Sequence, residues 1–130
     1  MISSIRSDGK TACMSIDAAT DGEVFLAYVA NVLVPTLRQG DIVVLDNLGA
    51  HKSAAVEAAI RSAGATVEYL PAYSPDLNPI EKMWSKIKAI LRAARARTSR
   101  ALNAAIRKAF SSVTSDDALS WFVSCGYRFN

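Results

Sequence analysis

The chain has 130 residues, enough for one domain with one hydrophobic core, and its 51% hydrophobic and 21% charged residues exclude a disordered chain. Its two cysteines, Cys13 and Cys125, lie far apart and match no metal-binding or disulfide spacing, so we expect reduced thiols in a cytoplasmic protein. The longest apolar stretch, residues 24–34, contains Asn31 and is too short to cross a bilayer, so no membrane segment is expected.

The net charge of +3 conceals two oppositely charged parts of the chain. Residues 1–81 carry five Lys or Arg against ten Asp or Glu, whereas residues 82–115 carry nine basic residues and no acid. A block of this charge suits the phosphate backbone of a nucleic acid. A solvated helix face would carry the same pattern, and composition alone leaves both interpretations open.

The first elements are a predicted hairpin and helix. Residues 2–6 and 11–16 have strand-like composition and flank an Asp-Gly pair, which is typical of a β-hairpin turn. A capping box of Thr20 and Glu23 predicts the start of a helix, and Pro35 marks its end. The helical spacing predicts a buried face of six residues: Val24, Phe25, Tyr28, Val29, Val32 and Leu33.

The middle of the chain predicts a strand, a helix and a second strand. Residues 41–46 have a wholly apolar centre, as in strands of parallel sheets that are buried on both faces. Residues 53–63 follow as a helix that Gly64 ends, and residues 66–70 form the next strand.

Three helices complete the predicted order ββαβαβααα. The first has Asn78 as its N-cap and Pro79 at its first helical position, and two more span residues 99–113 and 116–125. The first is predicted to bury Ile80, Met83, Trp84, Ile87 and Leu91, and the last to bury Leu119, Trp121 and Phe122.

Two carboxylates, with 34 residues between them, stand at the ends of these elements. Asp46 closes the apolar strand, where open α/β sheets place their ligands, but Asp-Asn before Leu-Gly is also ordinary turn chemistry. Glu81 is the third helical residue after Asn78, where a Glu reaches back to cap the helix and where the positive helix end favours its ionised form. The residue types alone leave a structural and a metal-binding role open.

The segments Leu45-Asp46-Asn47-Leu48-Gly49-Ala50-His51-Lys52-Ser53 and Leu70 to Trp84, in this order, resemble DDE-superfamily transposases, the bacterial insertion-sequence relatives of the mariner elements. The resemblance implies an α/β, ribonuclease H-like fold, with a mixed sheet flanked by helices. It implies metal-dependent cleavage and strand transfer of DNA, with Asp46 and Glu81 as catalytic ligands of Mg²⁺ or Mn²⁺. It places Asn47 and His51 beside that site.

DNA is then the expected partner of the basic block. The residues assigned to DNA contact are Lys82, Lys86, Lys88, Arg92, Arg95, Arg97 and Arg100.

The chain departs from the family at the first catalytic Asp, which lies on the central strand of the ribonuclease H-like sheet. Among the upstream carboxylates, Asp17 follows a strand but matches no catalytic position of the family. We therefore expect residues 1–130 to form a single, N-terminally truncated catalytic domain that binds metal weakly and is inactive alone. Whether the chain is an enzyme stays open.

The alternative is a non-catalytic DNA-binding or assembly fragment of a transposase. The strand edges left unpaired by the absent strand would either close directly, with the hairpin pairing onto the Asp46 strand, or recruit a second copy of the chain or an upstream transposase fragment. A bacterial, cytoplasmic and nucleoid-associated location is expected under both interpretations.

Overall fold

The computed structural model describes residues 2–14, 21–46, 53–72 and 74–127, which form a mixed α/β fold. Its strands are β1 (Ile2–Ile5), β2 (Thr11–Met14), β3 (Ile42–Leu45) and β4 (Thr66–Tyr69). Its α-helices are α1 (Gly22–Tyr28), α2 (Ala54–Ser62), α3 (Pro79–Ala94), α4 (Ser99–Ser111) and α5 (Ser115–Ser124). The predicted element order is confirmed.

The four described strands pair two by two. β1 pairs with β2 through a tight turn, in which the Arg6 N–H donates to the Lys10 carbonyl at 2.9 Å. β3 pairs with β4 in parallel, with Ile42 opposite Thr66. Parallel neighbours need a crossover connection, and α2 supplies it.

The chain divides into two compact units, which are described separately. The first unit comprises Met1–Ser4 and Ala12–Ser74, and the second comprises Ile5–Thr11 and Pro75–Asn130.

The first unit is built around α1, α2 and the β3–β4 pair. Tyr28 is the one buried tyrosine among the described residues of this unit. Its hydroxyl donates a hydrogen bond to the Ala12 carbonyl at 2.8 Å, so this buried polar group has a partner. The buried side chains are Ile2, Phe25, Tyr28, Val29, Leu33, Val56, Ile60 and Ala65. The face predicted for the first helix is therefore confirmed, with its other two members, Val24 and Val32, partly buried.

Both ends of the first helix differ from prediction. The N-cap is Asp21, whose carboxylate accepts from the Val24 N–H at 2.9 Å, and the predicted cap Thr20 lies outside the described residues. The helix runs past Tyr28 as a π-helical segment (Val29–Leu33) and a 3₁₀ turn (Val34–Thr36). Pro35 has no N–H and would clash with the carbonyl four residues before it in a regular α-helix, so the widened turn accommodates it.

The prediction that β3 is buried on both faces is wrong. Ile42 is 65% exposed, and the other three residues of the strand are only partly buried. α2 packs against β4 and the π-helical segment, and no strand among the described residues pairs with the second edge of β3. The pair of β3 and β4 therefore buries less of the apolar surface of β3 than its sequence predicts.

The second unit is centred on α3, which packs against α4 and α5. Met83, Ile87 and Ala109 are fully buried, and Trp84 meets Phe110 edge to face at a centroid distance of 5.9 Å. Full burial of the Met83 and Ile87 side chains stabilises the unit by about 1.5–3 kcal/mol each. The predicted core face of α3 is confirmed.

The burial predicted for the last helix is partly wrong. Leu119 is 47% exposed, while Ala118 and Cys125 are buried. Trp121 and Phe122 are partly buried. Residues separated by three, four and seven positions lie on the same face of a helix. Ala118 and Cys125 therefore share the packed face of Trp121 and Phe122, whereas Leu119 lies beside that face.

The hairpin turn packs on the loop between α4 and α5 within the second unit. Gly9 has φ +93°, and a Cβ atom there would lie 2.7 Å from the Thr114 carbonyl oxygen. Backbone is a neighbour that cannot rotate away, so Gly9 is required by its conformation and by its surroundings.

We expect Gly9→Ala to lower the free energy of unfolding by about 2–4 kcal/mol, because the strain of a positive φ adds to a clash with main chain. Denaturant unfolding followed by tryptophan fluorescence measures it, since Trp84 and Trp121 both lie in the second unit. Gly126 is the matched control within the same unit, with φ +95° and nothing within 4 Å of an added Cβ. Gly126→Ala should cost only about 1 kcal/mol, and equal losses for the two variants would contradict the close packing at Gly9.

Candidate functional site

Asp46 directly follows β3, at the carboxyl end of the parallel pair. The pairing continues to this point, where the Leu70 N–H donates to the Leu45 carbonyl at 2.8 Å. Asp46 is partly exposed. The neighbouring candidates Asn47 and His51 lie outside the described residues, so their predicted place beside the site stays a prediction.

Glu81 is the third residue of α3, and it is exposed. The alternative of a capping carboxylate would require Glu81 to accept from the Asn78 N–H, but that N–H donates to the Pro75 carbonyl at 3.1 Å. The carboxylate forms no hydrogen bond or ion pair with any other residue that the structure describes. Glu81 therefore stands at the positive end of a helix without a capping role.

The two predicted metal ligands belong to different units, Asp46 to the first and Glu81 to the second. Within the described ranges, no group of three or more His, Cys, Asp or Glu residues could hold a metal ion. Mg²⁺ accepts one or two carboxylates, with water and phosphate oxygens as the remaining ligands. By donor type, Asp46 and Glu81 fit such an ion.

The exposed side of α3 carries a polar stripe that begins at Glu81. We use "α3 stripe" for Glu81, Ser85, Lys88 and Arg92, which follow each other at intervals of three or four residues and are all exposed. With a rise of about 1.5 Å per residue, Lys88 lies about 10 Å and Arg92 about 16 Å along the helix from Glu81. All four cations of α3 are among the predicted DNA contacts. Their spacing in the sequence already indicates that only Lys88 and Arg92 share a face with Glu81.

The remaining cations of α3 face elsewhere. Lys82, adjacent to Glu81, is turned about 100° away from it around the helix. The Lys86 ammonium donates to the Ser112 carbonyl at 2.8 Å and forms an ion pair with Asp117. Lys86 thus joins α3 to the loop before α5, with about a third of its side chain exposed.

Three further predicted DNA contacts lie at the junction of α3 and α4. Arg95 is the C-cap of α3 in a left-handed conformation with φ 50°, and Arg97 is exposed. Arg100 lies in the first turn of α4 and shares its exposed side with Arg107, seven residues later. Both are exposed.

A family model described as DDE superfamily endonuclease matches residues 1–103, and the chain therefore belongs to this family. The match runs through α3 into α4. A search of curated proteins finds no match. Within the described ranges, no helix combines the length and the hydrophobicity that crossing a membrane requires.

Family membership confirms the predicted fold class, a mixed α/β fold of the ribonuclease H-like type. It also confirms the coarser part of the predicted function, a nuclease- or transposase-type domain with DNA as substrate. Divalent metal ions are generally used by such domains.

The Lys86–Asp117 pair makes the stability of the second unit depend on pH. The hydrogen bond from Lys86, and then that from the Thr114 backbone N–H, lowers the pKa of Asp117 below its ordinary value. The folded state therefore binds this proton more weakly than the unfolded state. The ionised carboxylate stabilises the fold above pH about 4, and this contribution is lost as the pH falls through the lowered pKa.

We expect Asp117→Asn to be less stable than the wild type at pH 7, with a difference that shrinks as the pH falls below about 4. Denaturant unfolding between pH 2 and pH 7 measures this difference. Asp116→Asn removes the neighbouring carboxylate, which has no hydrogen bond to a described residue, and should lack this pH-dependent loss. A constant difference between Asp117→Asn and the wild type would contradict the assignment.

Proposed function

We propose that the chain is part of the catalytic domain of a DDE transposase related to bacterial insertion-sequence and mariner elements. In this proposal Asp46 and Glu81 bind Mg²⁺ or Mn²⁺ for the cleavage and strand transfer of DNA phosphodiesters. The observation that carries it is the Glu81 carboxylate, exposed at a helix N-terminus and used by no other described residue. An exposed carboxylate with no partner among the described residues is accessible to a metal ion.

The roles of the residues follow from their chemistry. Both carboxylates are hard oxygen donors, the ligand type that Mg²⁺ and Mn²⁺ prefer. A divalent ion held by Asp46 and Glu81 would supply Lewis-acid stabilisation of phosphate oxygens and would lower the pKa of the attacking water or hydroxyl. Lys88 and Arg92 neutralise phosphates on the same side of α3 as Glu81.

The α3 stripe supports a specific orientation of DNA. About 10 Å along the helix axis separates Glu81 from Lys88, a distance longer than one nucleotide of a DNA strand. A strand that follows the stripe would therefore present its cleaved phosphate near Glu81 and later phosphates near the two cations. Lys86 should contribute less, because its ammonium is already bound by Ser112 and Asp117.

A second function, a non-catalytic DNA-binding or assembly fragment, is supported by two observations. Within the described residues no three-membered ligand group gathers, and β3 presents an edge with Ile42 exposed. Such edges recruit further strands, from a second copy or from an upstream transposase segment. This function predicts DNA binding without any effect of metal at Glu81.

Metal binding distinguishes the two functions. We expect Mn²⁺ to bind in the millimolar range and to broaden the amide signals next to Asp46 and Glu81, because two carboxylates leave the ion mostly hydrated. Asp46→Ala combined with Glu81→Ala should abolish the effect. Asp76→Asn is the control, since it removes an exposed carboxylate close to α3 that has no assigned role. Unchanged binding in the double variant would disprove the ligand assignment.

DNA binding tests the α3 stripe. If four to six cations contact phosphate, the logarithm of the affinity for duplex DNA should fall against the logarithm of salt with a slope of about −4 to −5. Lys88→Gln and Arg92→Gln should each reduce the steepness by about 1. Lys10→Gln removes the same charge from the hairpin turn and should leave the slope unchanged. A flat salt dependence would mean that this face is only solvated.

A further inference from the structure

The start of α3 lacks the contact that fixes the other described helices. Each of the other four α-helices has an N-cap side chain that accepts a hydrogen bond from the backbone of its first turn, and these caps are Asp21, Ser53, Thr98 and Thr114. The N-cap of α3, Asn78, makes no such bond. Glu81 lies in this uncapped first turn, so the direction of its carboxylate depends on how the turn before α3 is held.

A distant side chain holds the turn that leads into α3. The Tyr127 hydroxyl donates to the Leu77 carbonyl at 2.9 Å. Leu77 is the last residue of a 3₁₀ turn (Pro75–Leu77) and immediately precedes Asn78. The bond therefore ties the entry of α3 to a residue 50 positions later in the chain.

Tyr127 is itself held in place by the end of α5. Gly126 has φ +95°, and the N–H groups of Gly126 and Tyr127 donate to the carbonyls of Val123 and Phe122, each at 3.0 Å. These two bonds form a Schellman motif, which places the residue after the glycine against the last turn of the helix. The rings of Phe122 and Tyr127 meet edge to face at 5.5 Å, as this motif favours.

The hydroxyl stays a donor at physiological pH. Partial burial, and then the neighbouring Cys125, raises the pKa of Tyr127 above its ordinary value, so the phenol keeps its proton. Both the main chain and the ring of Tyr127 are thus constrained, and its hydroxyl is a rigid anchor.

We infer that Tyr127 is a positioning residue for Glu81: a hydroxyl from the end of α5 fixes the turn that leads into α3, a helix whose own N-cap side chain makes no bond. It fixes the turn from which the Glu81 carboxylate is presented. The role of that carboxylate in metal binding rests on the proposed function, whereas the ordering of the turn does not. Tyr127 lies beyond residues 1–103, which match the family model, whereas the turn that it holds and α3 lie within them.

Tyr127→Phe in the full chain tests the inference, because it keeps the ring contact with Phe122 and removes only the hydroxyl. Without metal, hydrogen exchange of the Asn78 and Glu81 amides should accelerate about three- to tenfold, the factor that corresponds to one net hydrogen bond. The Leu102 amide in α4 should not change. The Mn²⁺ dissociation constant read at Glu81 should rise by a similar factor.

Tyr28→Phe is the matched control, since it also removes a tyrosine hydroxyl that donates to a backbone carbonyl, but in the first unit. It should leave exchange at Asn78 and Glu81 unchanged. Two results would overturn the inference: equal exchange at these amides in Tyr127→Phe and wild type, or an equal acceleration at Leu102, which would indicate a general loss of stability. If wild type shows no Mn²⁺ effect at Glu81, the metal assignment fails, and the metal-free exchange still decides whether Tyr127 orders the turn.

Discussion

The burial of Met83 and Ile87 is the constraint on which the second unit depends. These side chains fix the rotation of α3 about its axis, because turning the helix would expose both of them. Once that face is fixed, the opposite face is fixed as well, and Glu81, Lys88 and Arg92 must point away from the core. The side of α3 on which these three residues lie is thus a consequence of apolar packing.

The same packing brings basic helices together and creates an electrostatic problem. Residues 82–115 contain no acid, so apart from Glu81 the charged side chains of α3 and α4 are all basic. Asp117, in the first turn of α5, reduces the repulsion between these cations because it forms an ion pair with Lys86. It also completes the capping box of α5 with Thr114. One carboxylate therefore serves two structural purposes and withdraws one cation from the exposed surface.

Local signals predicted most of the fold. The hairpin turn, the start of α3 after Asn78 and the core face of α3 depend on residues close in sequence, so local sequence signals predict them. The exposure of Ile42 and the capture of Lys86 by Asp117 depend on partners far along the chain, which periodicity does not report.

The candidate site divides in the same way. Position and residue type marked Asp46 and Glu81 as special, but a capping and a metal-binding Glu81 predict the same residue at the same helical position. The bond from the Asn78 N–H to the Pro75 carbonyl argues against the capping role. The anchoring of this turn by Tyr127 had no local signal, since the two ends of that bond lie 50 residues apart.

The left-handed Arg95 at the end of α3 shows a conflict between stability and charge. Glycine is the residue that this conformation favours, and any other L-residue there costs about 1 kcal/mol. A chain optimised for stability alone would place glycine at this position and would lose one cation between α3 and α4. The present chain tolerates the strain and keeps a long, charged side chain at the corner of its most basic segment, as proteins do where side-chain chemistry outweighs the gain from a relaxed backbone.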